Sequence, residues 1–245
     1  MTMILHRGAV QVSRDTLLRV TPPERQGIYV PMPHHELADA VQQYLAEGNF
    51  EVTGEKHALS KNGKKYFGYF ELSDQGGYSA VVGFRNSHDQ SIAVSAALGS
   101  RVFICDNLAL SGDIALFRKH TTNLYAELAD KMRAAIAMLP AAIAAQNKDF
   151  NTWKERGISL AQTDYSIGQL YRNGVLNRSQ LGDVFDEFRH QSEDHGPRTL
   201  WRLFNAVTHV MKSDTETGQI VTLPNRTKKL HAQLNVIEGE FREVA

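Results

Sequence analysis

The chain has 245 residues, of which 42% are hydrophobic and 22% are charged, a composition typical of a globular protein with a sizeable core. Its 27 lysines and arginines balance 27 aspartates and glutamates, and this neutrality argues against tight, non-specific binding to nucleic acid. A single cysteine excludes an intrachain disulfide, and the sequence has neither a membrane-spanning apolar run nor the apolar core of a secretion signal, so we expect a cytoplasmic protein without membrane contacts.

Strand and turn signals dominate the first 110 residues. Residues 1–33 are predicted to form an extended N-terminal arm, because Pro22-Pro23 and Pro31-Met32-Pro33 disfavour helix. A first helix is predicted over 34–47, where apolar side chains recur on one side and Gly48-Asn49 marks the end.

The rest of the region 34–110 is predicted to be an antiparallel meander. Short apolar runs joined by tight turns need no crossover helices, and strands connected in this way pair antiparallel. The predicted strands are 50–59, 66–72, 78–85, 91–98 and 101–105. Turns are assigned to Asn62-Gly63, Gly76-Gly77 and Gly99-Ser100.

Helical periodicity replaces these patterns over residues 111–245. Apolar residues at spacings of three and four predict a long helix over 112–139, which Pro140 interrupts or kinks before helix resumes to residue 156. Further helices are predicted over 163–173, 178–191, 198–212 and 226–240. The predicted fold class is therefore α+β, with an antiparallel β-meander in the N-terminal half packed against a mainly α-helical C-terminal half as one cooperative unit.

A polar run, Asn86-Ser87-His88-Asp89-Gln90, follows the third predicted strand. Side chains of these types often close turns by bonding to nearby backbone, which gives a purely structural interpretation. A binding site is the alternative. If Gly99-Ser100 reverses the chain, the group Cys105-Asp106-Asn107 returns to the same edge of the sheet, with Asn107 close to Asn86.

This predicted rim could support more than one chemistry. Cys105 near His88 would form a nucleophile–base pair, although a lone cysteine that closes an apolar run is more often an inert small hydrophobe. Metal binding by His88 and Asp89 would need further ligands. No metal-binding, dinucleotide, P-loop or nucleophile-elbow motif is present, so neither a metal nor another cofactor is predicted.

The predicted helix 198–212 is amphipathic. Thr199 can cap it, and Trp201, Asn205, Thr208 and Lys212 share a flank beside its apolar stripe. That flank could stack on a base or another ligand, or it could complete the core and bond to the sheet. Arg118-Lys119-His120 on the predicted long helix also has two interpretations, as a solvated or salt-bridged face or as a phosphate contact.

Three segments resemble an uncharacterised family catalogued as domain of unknown function 932. They are GFRNSHDQSIAVSAALGSRVFICDNLALSGD at 83–113, RKHT at 118–121 and TLWRLFNAVTHVMK at 199–212, and the resemblance extends from about residue 25 to 235. The matching positions are Arg85, Asn86, Ser87, Asp89, Arg101, Cys105, Asp106, Asn107, Arg118, His120, Thr121, Trp201, Asn205, Ala206 and Thr208. The resemblance implies a phage or plasmid setting, but no established activity.

These observations define one candidate binding site and three hypotheses. The site comprises Arg85, Asn86, Ser87, His88, Asp89, Arg101, Cys105, Asp106, Asn107, Arg118, Lys119, His120, Trp201, Asn205, Thr208 and Lys212. The leading hypothesis is a non-enzymatic nucleic-acid-associated protein that favours single strands, as a monomer or a homo-oligomer. The alternatives are a protein-binding inhibitor of a host defence system, and a hydrolase or nuclease that uses Ser87, His88, Asp89 and Cys105.

Overall fold

The computed structural model describes residues 9–74, 78–102, 107–190, 196–213 and 223–243. The strands in these ranges are β1 (Val10–Val12), β2 (Gly54–Leu59), β3 (Lys65–Asp74), β4 (Tyr78–Ser87), β5 (Val94–Val102) and β6 (Asn107–Arg118). The helices are α1 (Arg14–Leu18), α2 (His34–Glu47), α3 (Leu124–Glu155), α4 (Leu160–Arg172), α5 (Gln180–His190), α6 (Leu200–Ser213) and α7 (Leu223–Glu243). The strands form one antiparallel sheet in sequence order, followed by helices, which confirms the α+β prediction.

Local signals located several elements correctly. α2 spans His34–Glu47, the range predicted from the prolines before it and Gly48 after it. The Asn62-Gly63 turn is also present, since Gly63 has φ +69° and its N–H donates to the Ser60 carbonyl over 2.8 Å. The four helices predicted after residue 160 exist as α4 to α7, with their ends shifted by a few residues.

The predicted turn at Gly99-Ser100 is wrong. β5 runs unbroken from Val94 to Val102, and its register against β6 shifts between Ala97 and Gly99. A glycine inside a strand often marks such a bulge, because a residue without a side chain tolerates the local distortion of the ladder. Residues 94–98 and 101–102 of the two predicted strands therefore belong to one strand, and residues 103–105 lie outside the described residues.

The predicted start of the long helix at residue 112 is also wrong. Residues 107–118 form β6, so the sheet continues to Arg118, and α3 begins at Leu124. Leucine and isoleucine alternate with other residues at Leu108, Leu110, Ile114 and Leu116, a period of two that indicates a strand. α3 then continues through Pro140 to Glu155. The predicted Gly76-Gly77 break lies outside the described residues.

The two faces of the sheet pack against different helices. One face carries Tyr66, Phe70 and Phe84, which form a core with α1, α2 and the first half of α3. The other face carries Phe67 and Tyr69, which form a second core with the end of α3 and with α4 to α7. Alternation along each strand sends successive side chains to opposite cores.

α3 belongs to both cores. At 1.5 Å per residue its 32 residues extend over roughly 48 Å. Leu124, Leu128 and Leu139 are buried in the first core, whereas Phe150 and Trp153 are buried in the second. No helix in the described ranges is both long enough and apolar enough to cross a bilayer.

Candidate functional site

One end of the sheet gathers several polar segments of the chain. Lys65 pairs with Ser87 across β3 and β4, and Val94 pairs with Arg118 across β5 and β6. The β2–β3 turn (60–64), the β4–β5 connection (88–93) and the end of β6 (118–120) therefore lie together. We call this region the hairpin end.

The strap, residues 28–34 of the N-terminal arm, crosses the hairpin end. The carbonyl oxygen of Met32 accepts hydrogen bonds from Asn86 Nδ2 at 2.6 Å and from His88 Nε2 at 3.0 Å. Both side chains are buried. A carbonyl has two lone pairs, so these two bonds use the full capacity of this acceptor and fix the strap to β4 and the connection after it.

A second group of bonds ties the strap to the end of β6. Val30 N donates to the carbonyl of His120 over 3.2 Å, and His120 Nδ1 donates to the carbonyl of Val30 over 3.3 Å. The Tyr29 hydroxyl donates to the carbonyl of His88 over 3.3 Å, and its ring packs against the His120 ring with centroids 5.4 Å apart. These contacts hold His120 beneath the strap.

His34 completes this buried polar cluster. Its ring stacks on the His88 ring with centroids 3.9 Å apart and an interplanar angle of 6°. Asn86 Nδ2 donates to His34 Nδ1 over 3.1 Å, so the His34 proton must lie on Nε2, which donates to the carbonyl of Gly63 over 2.9 Å. The bonding pattern therefore requires a neutral His34.

Burial makes charged histidines unfavourable in this cluster. Desolvation, followed by the nearby His88, lowers the pKa of His34 from 6.5 to about 4. Burial also lowers the pKa of His88 and of His120. As neutral rings, His34, His88 and His120 hold the strap in place through hydrogen bonds to backbone.

The loop after β4 uses its polar side chains to close itself. Ser87 Oγ donates to the Ile92 carbonyl over 2.9 Å and accepts from Ile92 N over 2.9 Å. Asp89 accepts hydrogen bonds from the backbone N–H and the hydroxyl of Ser91, and Gln90 has φ +62°. These bonds agree with the interpretation that the polar run 86–90 closes a turn. They also leave the Ser87 hydroxyl and the His88 ring bonded to backbone, so the two do not form a nucleophile–base pair.

The predicted rim does not form as one surface, because the turn at Gly99-Ser100 is absent. Arg101 pairs with Ser79, and Asn107 pairs with Val102, at the far end of the sheet. β4 has 10 residues, so this end lies roughly 30 Å from the hairpin end. Cys105 and Asp106 lie outside the described residues.

Arg85 and the α6 residues face the second core. Arg85 pairs with Phe67, on the face opposite Asn86, and its Nε donates to Ser95 Oγ over 2.7 Å. Trp201 is buried, with its ring centroid 4.8 Å from that of Phe150.

Asn205 and Thr208 are buried beside Trp201 and make bonds within their own helix. Asn205 Nδ2 donates to the Trp201 carbonyl over 2.9 Å, and Thr208 Oγ1 donates to the Phe204 carbonyl over 3.0 Å. The α6 flank completes a core, and the Lys212 side chain lies outside the described residues. The cap is confirmed, because Arg202 N donates to Thr199 Oγ1 over 3.2 Å.

Of the predicted residues, the structure brings Asn86, Ser87, His88, Asp89, Arg118, Lys119 and His120 to the hairpin end. It adds Tyr29, Met32 and His34, which the sequence did not single out. His34 stands at a predicted helix start, and its bonding partner Asn86 lies 52 residues later in the chain. No local pattern could have indicated that pair.

Positive charge surrounds the buried cluster. Val20 approaches the Gly63 turn, so residues 19–36 join 60–65, 86–91 and 118–125 at this end. These segments contain seven lysines and arginines and three acidic residues, a surplus of four positive charges on a chain of zero net charge. Lys61, Lys64 and Lys119 are exposed. Lys65 is partly exposed, and its Nζ lies 3.9 Å from Asp89 Oδ2.

Metal binding has no preformed arrangement in the described part of the chain, where no three histidine, cysteine, aspartate or glutamate side chains are placed to share an ion. The parallel stacking of His34 on His88 illustrates why, since stacked rings direct their nitrogen lone pairs side by side instead of toward one point.

Comparison with known proteins identifies a family. The model of a family described as a domain of unknown function (DUF932) matches residues 24–235. No curated protein and no solved structure matches the chain significantly.

Proposed function

The chain belongs to the DUF932 family, and we propose that it is a cytoplasmic, phage- or plasmid-encoded protein that binds nucleic acid through the cations of the hairpin end. The binding is non-enzymatic. The ligand is the sugar-phosphate backbone, with single strands preferred over duplex.

The observation that supports this proposal is the local charge surplus. The sheet register brings Arg118-Lys119 to the same end of the sheet as the turn that carries Lys61, Lys64 and Lys65, three strands away across β4 and β5, although the two groups are more than 50 residues apart in sequence. A surplus of four charges on a neutral protein creates a local positive field, and phosphates respond to local field more than to net charge.

The fixed strap contributes to the same proposal. Its bonds to Asn86, His88 and His120 hold the surrounding backbone in one arrangement. Cations mounted on a rigid frame lose less conformational entropy when they meet a ligand. The neutral histidines serve this role as positioning residues, without contacting the ligand.

Fluorescence anisotropy with labelled single-stranded DNA, duplex DNA and single-stranded RNA, over a salt series, tests the proposal. Contacts with four phosphates of a single strand predict a log–log salt slope of about −3. Replacing Lys64 and Lys119 together by glutamine should weaken binding and make the slope shallower by about 1.4. Replacing Lys148 and Arg172, which are exposed elsewhere, removes the same charge and should change neither quantity.

A further control follows from the register of β5. Arg101→Ala should leave binding unchanged, because Arg101 pairs with Ser79 at the opposite end of the sheet. Equal losses of affinity in the Lys64/Lys119 and Lys148/Arg172 variants would show that the hairpin end is not the binding surface. Absence of binding to all three nucleic acids at low salt would reject the function and favour the alternative of a protein-binding inhibitor of host defence.

A further inference from the structure

An exposed aromatic ring borders the cations of the hairpin end. Tyr125 lies in the first turn of α3 and is 46% exposed. A compact turn connects it to Lys119, since Thr121 N donates to the Lys119 carbonyl over 2.9 Å and Leu124 N donates to the Thr121 carbonyl over 2.8 Å. Tyr125 therefore follows directly after the segment that the strap holds.

The Tyr125 ring is held in place at the surface. Its hydroxyl donates to Glu36 Oε2 over 2.8 Å, which links α3 to the first turn of α2. Burial and this bond to Glu36 both raise the pKa of Tyr125, so the hydroxyl remains a donor. The neighbouring Leu124 is fully buried and fixes the helix start. One edge of the ring is anchored while much of its surface faces solvent.

We propose that Tyr125 stacks on an unpaired base and thereby directs the cationic surface toward single-stranded nucleic acid. This inference depends on the proposed function. An aromatic face offers the same contact to every base, and it needs a base whose own face is free, as in a single strand. Fixing the ring before binding lowers the entropic cost of the contact. Lys119, six residues before Tyr125, and the other cations of the hairpin end then contact phosphates of the same strand.

The chain contains a matched control for this residue. Tyr165 on α4 is 44% exposed, and its hydroxyl donates to Glu240 Oε2 over 3.0 Å. It thus shares the exposure and the carboxylate partner of Tyr125, but it lies among the helices of the second core, away from the hairpin end. Any general effect of removing an exposed tyrosine should appear equally in both.

The test is anisotropy with a labelled oligothymidine, an abasic oligonucleotide of equal length and a duplex. Tyr125→Ala should weaken oligothymidine binding by about 5- to 150-fold, the range for one lost base stack, and leave the salt slope unchanged. Tyr125→Phe should retain most of the affinity, because it keeps the ring. The abasic strand should bind weakly to wild type and show no response to Tyr125→Ala, and Tyr165→Ala should bind like wild type.

Two results would overturn the stacking role while leaving nucleic-acid binding intact. One is wild-type affinity of Tyr125→Ala for oligothymidine, and the other is equal binding of the abasic and base-containing strands. Failure of wild type to bind any of the three ligands would instead reject the proposed function itself. Thermal unfolding of Tyr125→Ala, compared with Tyr165→Ala, identifies any loss that arises from instability.

Discussion

Acid should destabilise this protein through the buried histidines of the hairpin end, and His34 gives the clearest test. In the folded state its Nδ1 accepts from Asn86 and its Nε2 donates to Gly63, an arrangement that only the neutral ring can make. Burial and the stacked His88 lower its pKa from 6.5 to about 4. The unfolded chain therefore takes up a proton at a higher pH than the folded chain does.

The sign and size of the effect follow from this difference. Above pH 6.5 the ring is neutral in both states and its contribution to stability is complete. Between pH 6.5 and about 4 the unfolded state binds the proton more tightly, so the free energy of unfolding falls as the pH falls. The total loss from His34 is about 3 kcal/mol. His57, His88 and His120 act in the same direction, because burial lowers the pKa of each.

Neighbouring groups act in both directions. After burial, the imidazoles of His88, His120 and His35 lower the pKa of His34, whereas its bond to the Gly63 carbonyl raises it. Burial lowers the pKa of His88, and its bond to Met32 and the nearby Asp89 carboxylate oppose this. A loss of about 3 kcal/mol is a large part of the stability of an ordinary domain. It should be visible as a lower urea midpoint.

Urea unfolding followed by circular dichroism at pH 7.5, 6.5, 5.5 and 4.5 measures the effect. His34→Gln should be less stable than wild type at pH 7.5, because it loses the stacked ring, and its stability should fall by about 3 kcal/mol less on acidification. His190→Gln removes an exposed imidazole from α5 and should follow wild type. A His34→Gln profile parallel to that of wild type would refute the assignment of the acid sensitivity to His34.

Three further substitutions test the packing by chemical denaturation. Gly68→Ala should lose about 1–3 kcal/mol, because its Cβ would lie 2.6 Å from both the Phe84 ring and the Tyr66 hydroxyl. Gly182→Ala on α5 meets no atom within 4 Å and should gain about 0.5–1 kcal/mol, so equal effects at the two glycines would contradict the packing. Pro140→Ala should gain up to about 3 kcal/mol, since it restores a backbone donor inside α3 at an exposed position, and a loss of stability there would show that the proline has a packing role.

Elements with local markers could be predicted from the sequence. Pro33 and Gly48 border α2, and Asn62-Gly63 specifies the β2–β3 turn, because prolines and glycines restrict or permit backbone conformations wherever they stand. Gly99 misled the prediction for the same reason. Its permissive backbone suits a turn or a bulge, and only pairing with β6 decides between them.

The wrong turn predicted at Gly99 also caused the wrong prediction that the polar residues form one rim. A turn there would have returned Asn107 to the side of Asn86, whereas an unbroken β5 carries the chain to the far end of the sheet. The unbroken β5 also gives β6 a long partner, and β6 returns Arg118 to the hairpin end, where the β2–β3 turn also lies. The cationic surface depends on three strand registers and one bulge. Composition and spacing contain too little information to specify them.

The sequence left two interpretations of Trp201 open, a stacking surface for a ligand or part of the core. Helical periodicity shows which residues share a flank, but it does not show what that flank packs against. Its packing on Phe150 depends on α3 extending past Pro140 into the second core. That the whole chain unfolds as one cooperative unit stays a prediction.

The length of α3 limits how this protein can be divided. A fragment ending near Arg156 would keep the sheet and the first core, but it would expose Phe150 and Trp153, whose partners lie in α6 and α7. A fragment beginning after Pro140 would lack Phe67 and Tyr69 from the wall of the second core. Neither half therefore has a complete core of its own. Recombination that joins this domain to other domains should keep α3 intact and place its crossover points outside both cores.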